Sequence, residues 1–143
     1  MVDAVQTNDA LFGHNGAVNH MQSGQCVMLC PTIAPEDVEV CTHKLAALGI
    51  QTIDSPMSGG PVRARDGRMS LMLACADAVF EKHQTLLQTL SNQVFHISQQ
   101  PGDGARTKLV NNLLAGINLA GAAEVMALSE RMGLDLTTTL NVI

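Results

Sequence analysis

Apolar residues along the chain fall into short blocks separated by longer stripes of helical spacing. Residues 25–30, QCVMLC, form a short apolar run after Gly24, the pattern of a buried strand. In the following PTIAPEDVEVCTHKLAALG, Val38, Cys41, Leu45 and Leu48 recur at helical spacing. Pro35 suits the first turn of that helix, Glu36 and Asp37 complement its N-terminus, and Gly49 is a natural stop. A second apolar run covers 50–53. Strand, helix and strand joined by tight connections predict a βαβ crossover with parallel strands.

Residues 54–67, DSPMSGGPVRARDG, are rich in Gly, Pro and charge and read as a loop. A third strand is expected over 69–74, an amphipathic helix over 77–90 with Asp77 as its N-cap, and a fourth strand over 94–97. After SQQPGDG a helix is expected over 105–132, closed by Gly133 and about 40 Å long at 1.5 Å per residue. A further helix begins near Asp135. The opening MVDAVQTNDA reads as a polar, helix-like segment with no strand before it.

One polar cluster interrupts the apolar stripe of the long helix. Lys108, Asn111 and Asn112 stand at i, i+3 and i+4 and so project from one side of its first turns. Leu113, Leu114, Ile117 and Leu119 follow directly. The trio is either a solvated helix end or the rim of a site.

The 143 residues are 46% hydrophobic, enough to bury a core and too apolar for a disordered chain. A formal charge of −5 with no run of Lys or Arg argues against a nucleic-acid footprint. Trp and Tyr are absent, so there is no platform for stacking single-stranded bases. Glu124, Ser129 and Glu130 break the longest apolar stretch, so no membrane span is expected. No basic and apolar leader opens the chain. Cys26, Cys30, Cys41 and Cys75 form no CxxC pair, and no histidine flanks them at metal spacing. They are expected to be buried free thiols in a reducing cytoplasm, with no metal site.

Two stretches carry a family resemblance. DSPMSGGPVRARDGRMSLML, residues 54–73, resembles the substrate-binding signature D-x-P-x-S-G-G-x-x-x-A-x-x-G-x-L of the β-hydroxyacid dehydrogenases. GDGARTKLVNNLL, residues 102–114, resembles the catalytic segment G-x-G-x-x-x-K-x-x-N-N of the same family. PTIAPE (31–36) and QTNDALFGHNGA (6–17) are similar to the segments that precede them, so the likeness spans nearly the whole chain. The helix from Lys108 onward looks most like the L-threonate dehydrogenase branch.

The resemblance implies an α/β fold: the later part of a Rossmann-type NAD-binding domain over 1–103, followed by a long interdomain helix that begins an all-α domain over 104–143. It implies an oxidoreductase using NAD, with NADP as the alternative, on a small hydroxy acid of L-threonate or 3-hydroxyisobutyrate type. Lys108 would be the general acid/base, since a partly buried lysine can lose its proton near neutrality. Ser58, Gly59 and Gly60 would hold the substrate carboxylate through the hydroxyl and close backbone N–H groups. Asn112 would bind the substrate hydroxyl and orient Lys108, and Asn111 would support it. Thr32 would face the nicotinamide, where a Rossmann sheet presents its strand ends.

Each position also has a plainer account. The Ser-Gly-Gly sequence makes ordinary tight turns, a lysine near a helix start is commonly solvated, and a buried Asn can be satisfied by backbone. Thr32 can cap a helix, and Arg63 and Arg65 can be solvated loop charges rather than attractors of an acidic substrate. The family's G-x-G-x-x-G turn does not occur here, nor its later C-terminal lysine. The chain therefore reads as an internal piece of a larger protein, inactive by itself or serving as an oligomeric binding module. The apolar face of helix 105–132 is expected to drive homo-oligomerisation.

Overall fold

The computed structural model describes residues 3–143, which form two compact units that divide between Lys108 and Leu109. In the first unit, helix α1 (Ala4–Phe12) starts at Asp3, whose side chain accepts the Gln6 N–H at 2.7 Å. A 3-10 turn (Ala17–His20) leads to β1 (Cys26–Leu29), α2 (Pro35–Ala47) and β2 (Gln51–Asp54). β1 and β2 are parallel, with Cys26 opposite Gln51 and Leu29 opposite Asp54, as the βαβ pattern predicted.

Residues 54–67 are not a plain loop. They contain a short strand, β3 (Met57–Ser58), and one and a half turns of helix, α3 (Gly60–Arg65). Pairing with β4 (Ser70–Ala74) creates β3, and no periodicity within six residues announces a partner that distant. Helix α4 (Asp77–Leu90) and strand β5 (Gln93–Ser98) complete the sheet. β4 is parallel to β5 along one edge and antiparallel to β3 and to the end of β2 along the other.

Asp77 does not cap α4. Ala76 occupies that position without a side-chain bond, while the Asp77 carboxylate accepts from the Gln99 amide at 2.6 Å and lies 3.8 Å from His96 Nδ1. A tertiary partner has taken the side chain away from the backbone.

Alternation in β1 places its side chains on two faces. Leu29 and Val27 pack with Leu11, Ile33, Val38, Cys41 and Ala105 on one face. Cys26 and Met28 pack with Ile53, Leu71, Leu73, Val79 and Leu87 on the other. The cysteines are all free, but only Cys41 and Cys75 are buried; Cys26 and Cys30 are half-buried. Burial pushes all four thiols up, Cys75 to about 11.

Helix α5 (Asp103–Arg131) begins two residues before the expected 105. Past Lys108 it belongs to the second unit, where α6 (Leu136–Val142) follows and is capped by the Asp135 carboxylate on the Thr138 N–H at 2.7 Å. Leu113, Leu114, Ile117 and Leu119 are exposed. By length and composition alone α5 is long and apolar enough to cross a membrane, with an 18-residue window of mean hydropathy 1.3, a test that an interdomain helix also passes. Glu124, Ser129 and Glu130 do lie in the helix, as do Asp103, Arg106 and Lys108 in its first turns, but one or two charges in a window do not pull it below that apolar average, so the expectation of no span-length apolar helix is corrected on length and composition only.

Candidate active site

The serine–glycine–glycine stretch sits where β3 ends and α3 begins. Gly59 and Gly60 take φ values of +142° and +67°, consecutive backbone conformations that disfavour any side chain. A Cβ on Gly59 would also lie 2.9 Å from Arg63 Cβ, whereas Gly60 has open space around it. The turn is thus tight at Gly59 and accessible at Gly60. Ser58 is half-buried and pairs in register with Ser70.

Asp54, at the end of β2 and the head of the same motif, is 1% exposed. Its Oδ2 accepts the backbone N–H of Gly102 at 3.0 Å and of Ala105 at 3.1 Å, which tethers the start of α5. Burial pushes its carboxyl above the ordinary aspartate value, opposed by backbone donors at Ala105, Gly102 and Gly104 and assisted by the nearby Asp103 charge. No local pattern in the sequence gives Asp54 this role. The available signal was its place at the front of a loop motif, a buried acid four residues before Ser58.

Lys108 lies one turn beyond Ala105 and is half-buried. Burial lowers its proton affinity below the ordinary lysine range, because an ammonium loses hydration there. Among the described residues no carboxylate pairs with it. Asn111 and Asn112 follow on the same helix, in the second unit, with the Asn111 amide donating to Asn112 Oδ1 at 3.4 Å. Asn111 is half-buried and Asn112 exposed.

Thr32 follows β1, at the carboxyl end of a parallel strand pair, and is exposed. It does not cap α2: the N-cap is Ala34, with no side-chain bond. Arg63 and Arg65 are exposed on α3, and Arg63 lies against Gly59. Among the described residues no group of three His, Cys, Asp or Glu side chains could hold a metal ion. A cavity of about 620 Å³ lies elsewhere, lined by His20, Met21, Cys26, Met28 and His83 among others, and contains no residue of the two motifs.

This geometry has known counterparts. Residues 1–98 match the family of the NAD binding domain of 6-phosphogluconate dehydrogenase, and residues 102–143 match the NAD-binding family of NADP-dependent 3-hydroxyisobutyrate dehydrogenase. L-threonate dehydrogenase of Escherichia coli strain K12 is 36% identical over 143 residues, which are 100% of this chain and 47% of that protein. The crystal structure of 3-hydroxyisobutyrate dehydrogenase from Salmonella typhimurium superposes with a TM-score of 0.88 at 36% identity, covering 100% of this chain and 50% of that one. Psf3 in complex with NADP+ and 2-OPP superposes with a TM-score of 0.85 at 29% identity, over 96% of this chain and 49% of that one. The chain spans about half the length of the curated relatives it matches. On the match over residues 1–98 and the whole-chain likeness, this chain belongs to the β-hydroxyacid dehydrogenase family, built on the NAD-binding domain of 6-phosphogluconate dehydrogenase.

Proposed function

We propose that this chain is the part of an NAD(P)-dependent oxidoreductase that holds a small hydroxy acid and moves its hydroxyl proton. The observation that carries the reading is Lys108: it is half-buried, burial lowers its proton affinity, and among the described residues no carboxylate pairs with it. Its helix is also tied by Asp54 to the strand that runs into Ser58, Gly59 and Gly60. Burial makes that ammonium give up its proton more readily than an exposed lysine does, and the neutral amine can accept a proton from an alcohol. As an ammonium it returns the proton to a developing alkoxide. The open backbone at Gly60 and the Ser58 side chain receive the substrate carboxylate. Asn112 orients the hydroxyl, with Asn111 as its support.

The nicotinamide end of a dinucleotide fits the residues present, since the exposed Thr32 side chain is not used to cap α2 and stands at the open carboxyl end of β1. When bound, the dinucleotide supplies the hydride acceptor or donor. No G-x-G-x-x-G turn for its pyrophosphate occurs in the sequence, so the isolated chain binds NADH weakly and turns over little or no substrate. L-threonate is the first substrate to assay, followed by 3-hydroxyisobutyrate, with both NAD and NADP.

In the enzyme that contains this segment, Lys108→Ala is expected to lower kcat by roughly 10²–10⁴-fold, the usual contribution of a general acid/base. Turnover within a few-fold of the parent would refute the assignment. We also propose that the exposed apolar residues of α5 pair copies of the chain. A non-enzymatic binding module is the alternative, favoured by micromolar NADH affinity without turnover in the whole protein.

A further inference from the structure

The start of α5 is fastened in two different ways. Solvent-exposed contacts hold its outer side: Arg106 pairs with Glu39 at 2.6 Å and with Asp103 at 2.9 Å, and Ser98 donates to Asp103 at 2.6 Å. Water and salt screen such pairs. On the inner side Ala105 packs into the core, and the polar tie is Asp54, a buried carboxylate whose Oδ2 accepts the backbone N–H groups of Gly102 and Ala105.

Little slack separates that carboxylate from either half of the site. Ser55 and Pro56 are buried, the Ser55 N–H donates to the Leu29 carbonyl at 2.8 Å, and the Met72 N–H donates to the Pro56 carbonyl at 3.0 Å. Ser58 follows two residues later, already paired with Ser70. On the helix side Ala105 and Lys108 are at i and i+3, on one face of the first turn. A shift of the Asp54 carboxylate therefore moves Lys108 relative to Ser58, Gly59 and Gly60.

We propose that Asp54 is a positioning residue for the reaction, the joint that sets where Lys108 stands with respect to the Ser58-Gly59-Gly60 turn. The proposal rests on the reading of Lys108 as the acid/base. Displacing a reacting group by about 1 Å costs on the order of 10²-fold in rate, so a joint of this kind governs kcat without touching substrate.

The test combines turnover with a reading that needs no cofactor. In the enzyme containing this segment, Asp54→Asn is expected to lower kcat by about 10–100-fold and to leave the KM for NAD unchanged. In the 143-residue chain, whose lysines are Lys44, Lys82 and Lys108, reductive methylation with ¹³C reports the titration of each amine by NMR. Loss of the joint lets Lys108 out into water, so its titration in Asp54→Asn moves up toward that of an ordinary lysine. Removal of a neighbouring negative charge alone would move it down. The direction separates positioning from simple electrostatics, and a downward or absent shift overturns the proposal. Arg106→Gln, which removes only the exposed pairs, is expected to leave both readings at the parent values; an equal upward shift there overturns the assignment to Asp54.

Should Asp54→Asn fail to fold, the unmodified sequence decides. As pH falls, the amide protons of Gly102 and Ala105 titrate with Asp54, whose charged and titratable neighbours are Asp103 and the Cys75 thiol. The Lys108 methyl signals are expected to move in the same step. Gly102 and Ala105 titrating while Lys108 stays still overturns the joint. Activity retained by Lys108→Ala refutes the reading beneath it, whereas an inactive Lys108→Ala beside a fully active Asp54→Asn refutes the joint alone.

Discussion

One substitution made at two places on one helix tests how α5 is seated. A Cβ on Gly104 would stand 2.6 Å from the Met72 carbonyl oxygen and 2.9 Å from Asp54 Oδ2, closer than side-chain carbons come to either. To admit it, the helix start must retreat from β4 or the Asp54 hydrogen bonds must lengthen. Overpacking costs about 1–3 kcal/mol. A weakened hydrogen bond to a charged group costs about 1.5–3 kcal/mol, and the better helix propensity of alanine returns roughly 1 kcal/mol. The net expectation for Gly104→Ala is a loss of about 2–4 kcal/mol, on the order of 10 °C in Tm for a chain of this size. Gly116 lies further along α5 with nothing within 4 Å, so Gly116→Ala meets no clash and is expected to stabilise by up to about 1 kcal/mol. Thermal unfolding by far-ultraviolet circular dichroism and differential scanning calorimetry, on dilute samples to suppress association, gives both numbers. A Gly104→Ala protein as stable as the parent would refute the close seat of the helix on Asp54 and Met72.

Other outcomes follow from the same structure. With its thiol pushed from 9.0 to about 11, Cys75 should react with iodoacetamide at least about 100-fold more slowly than an exposed cysteine, and mass spectrometry of partly labelled protein checks this. Asp54 holds its proton more tightly folded than unfolded, so its contribution to stability is present below the ordinary value of 3.8 and is lost as pH rises through the folded value. The urea midpoint of the parent should therefore fall relative to that of Asp54→Asn across that window, and a constant difference would contradict the raised carboxyl. Leu73→Ala, at a side chain 0% exposed, should cost about 2–5 kcal/mol in urea unfolding. Sedimentation should show association that rises with concentration and is weakened by Leu114→Glu; a monomer at every concentration would count against pairing through α5.

The sequence by itself determined whatever depends on neighbours within a turn or a strand. The spacing of Val38, Cys41, Leu45 and Leu48 specified α2, and the flanking apolar runs specified a parallel pair, because period and tight connection are local properties. The two motifs likewise single out Ser58, Gly59, Gly60 and Lys108 from the sequence alone. Only the tertiary structure decided the rest. β3 exists because β4 lies beside it, Asp77 is drawn from the helix cap by Gln99, and α5 starts early because Asp54, some fifty residues back, accepts its first N–H groups. A hydrogen bond made across that separation leaves no periodic trace in the chain. A buried aspartate that holds a helix and one that sits in a loop are therefore spelled alike, and only the fold tells them apart.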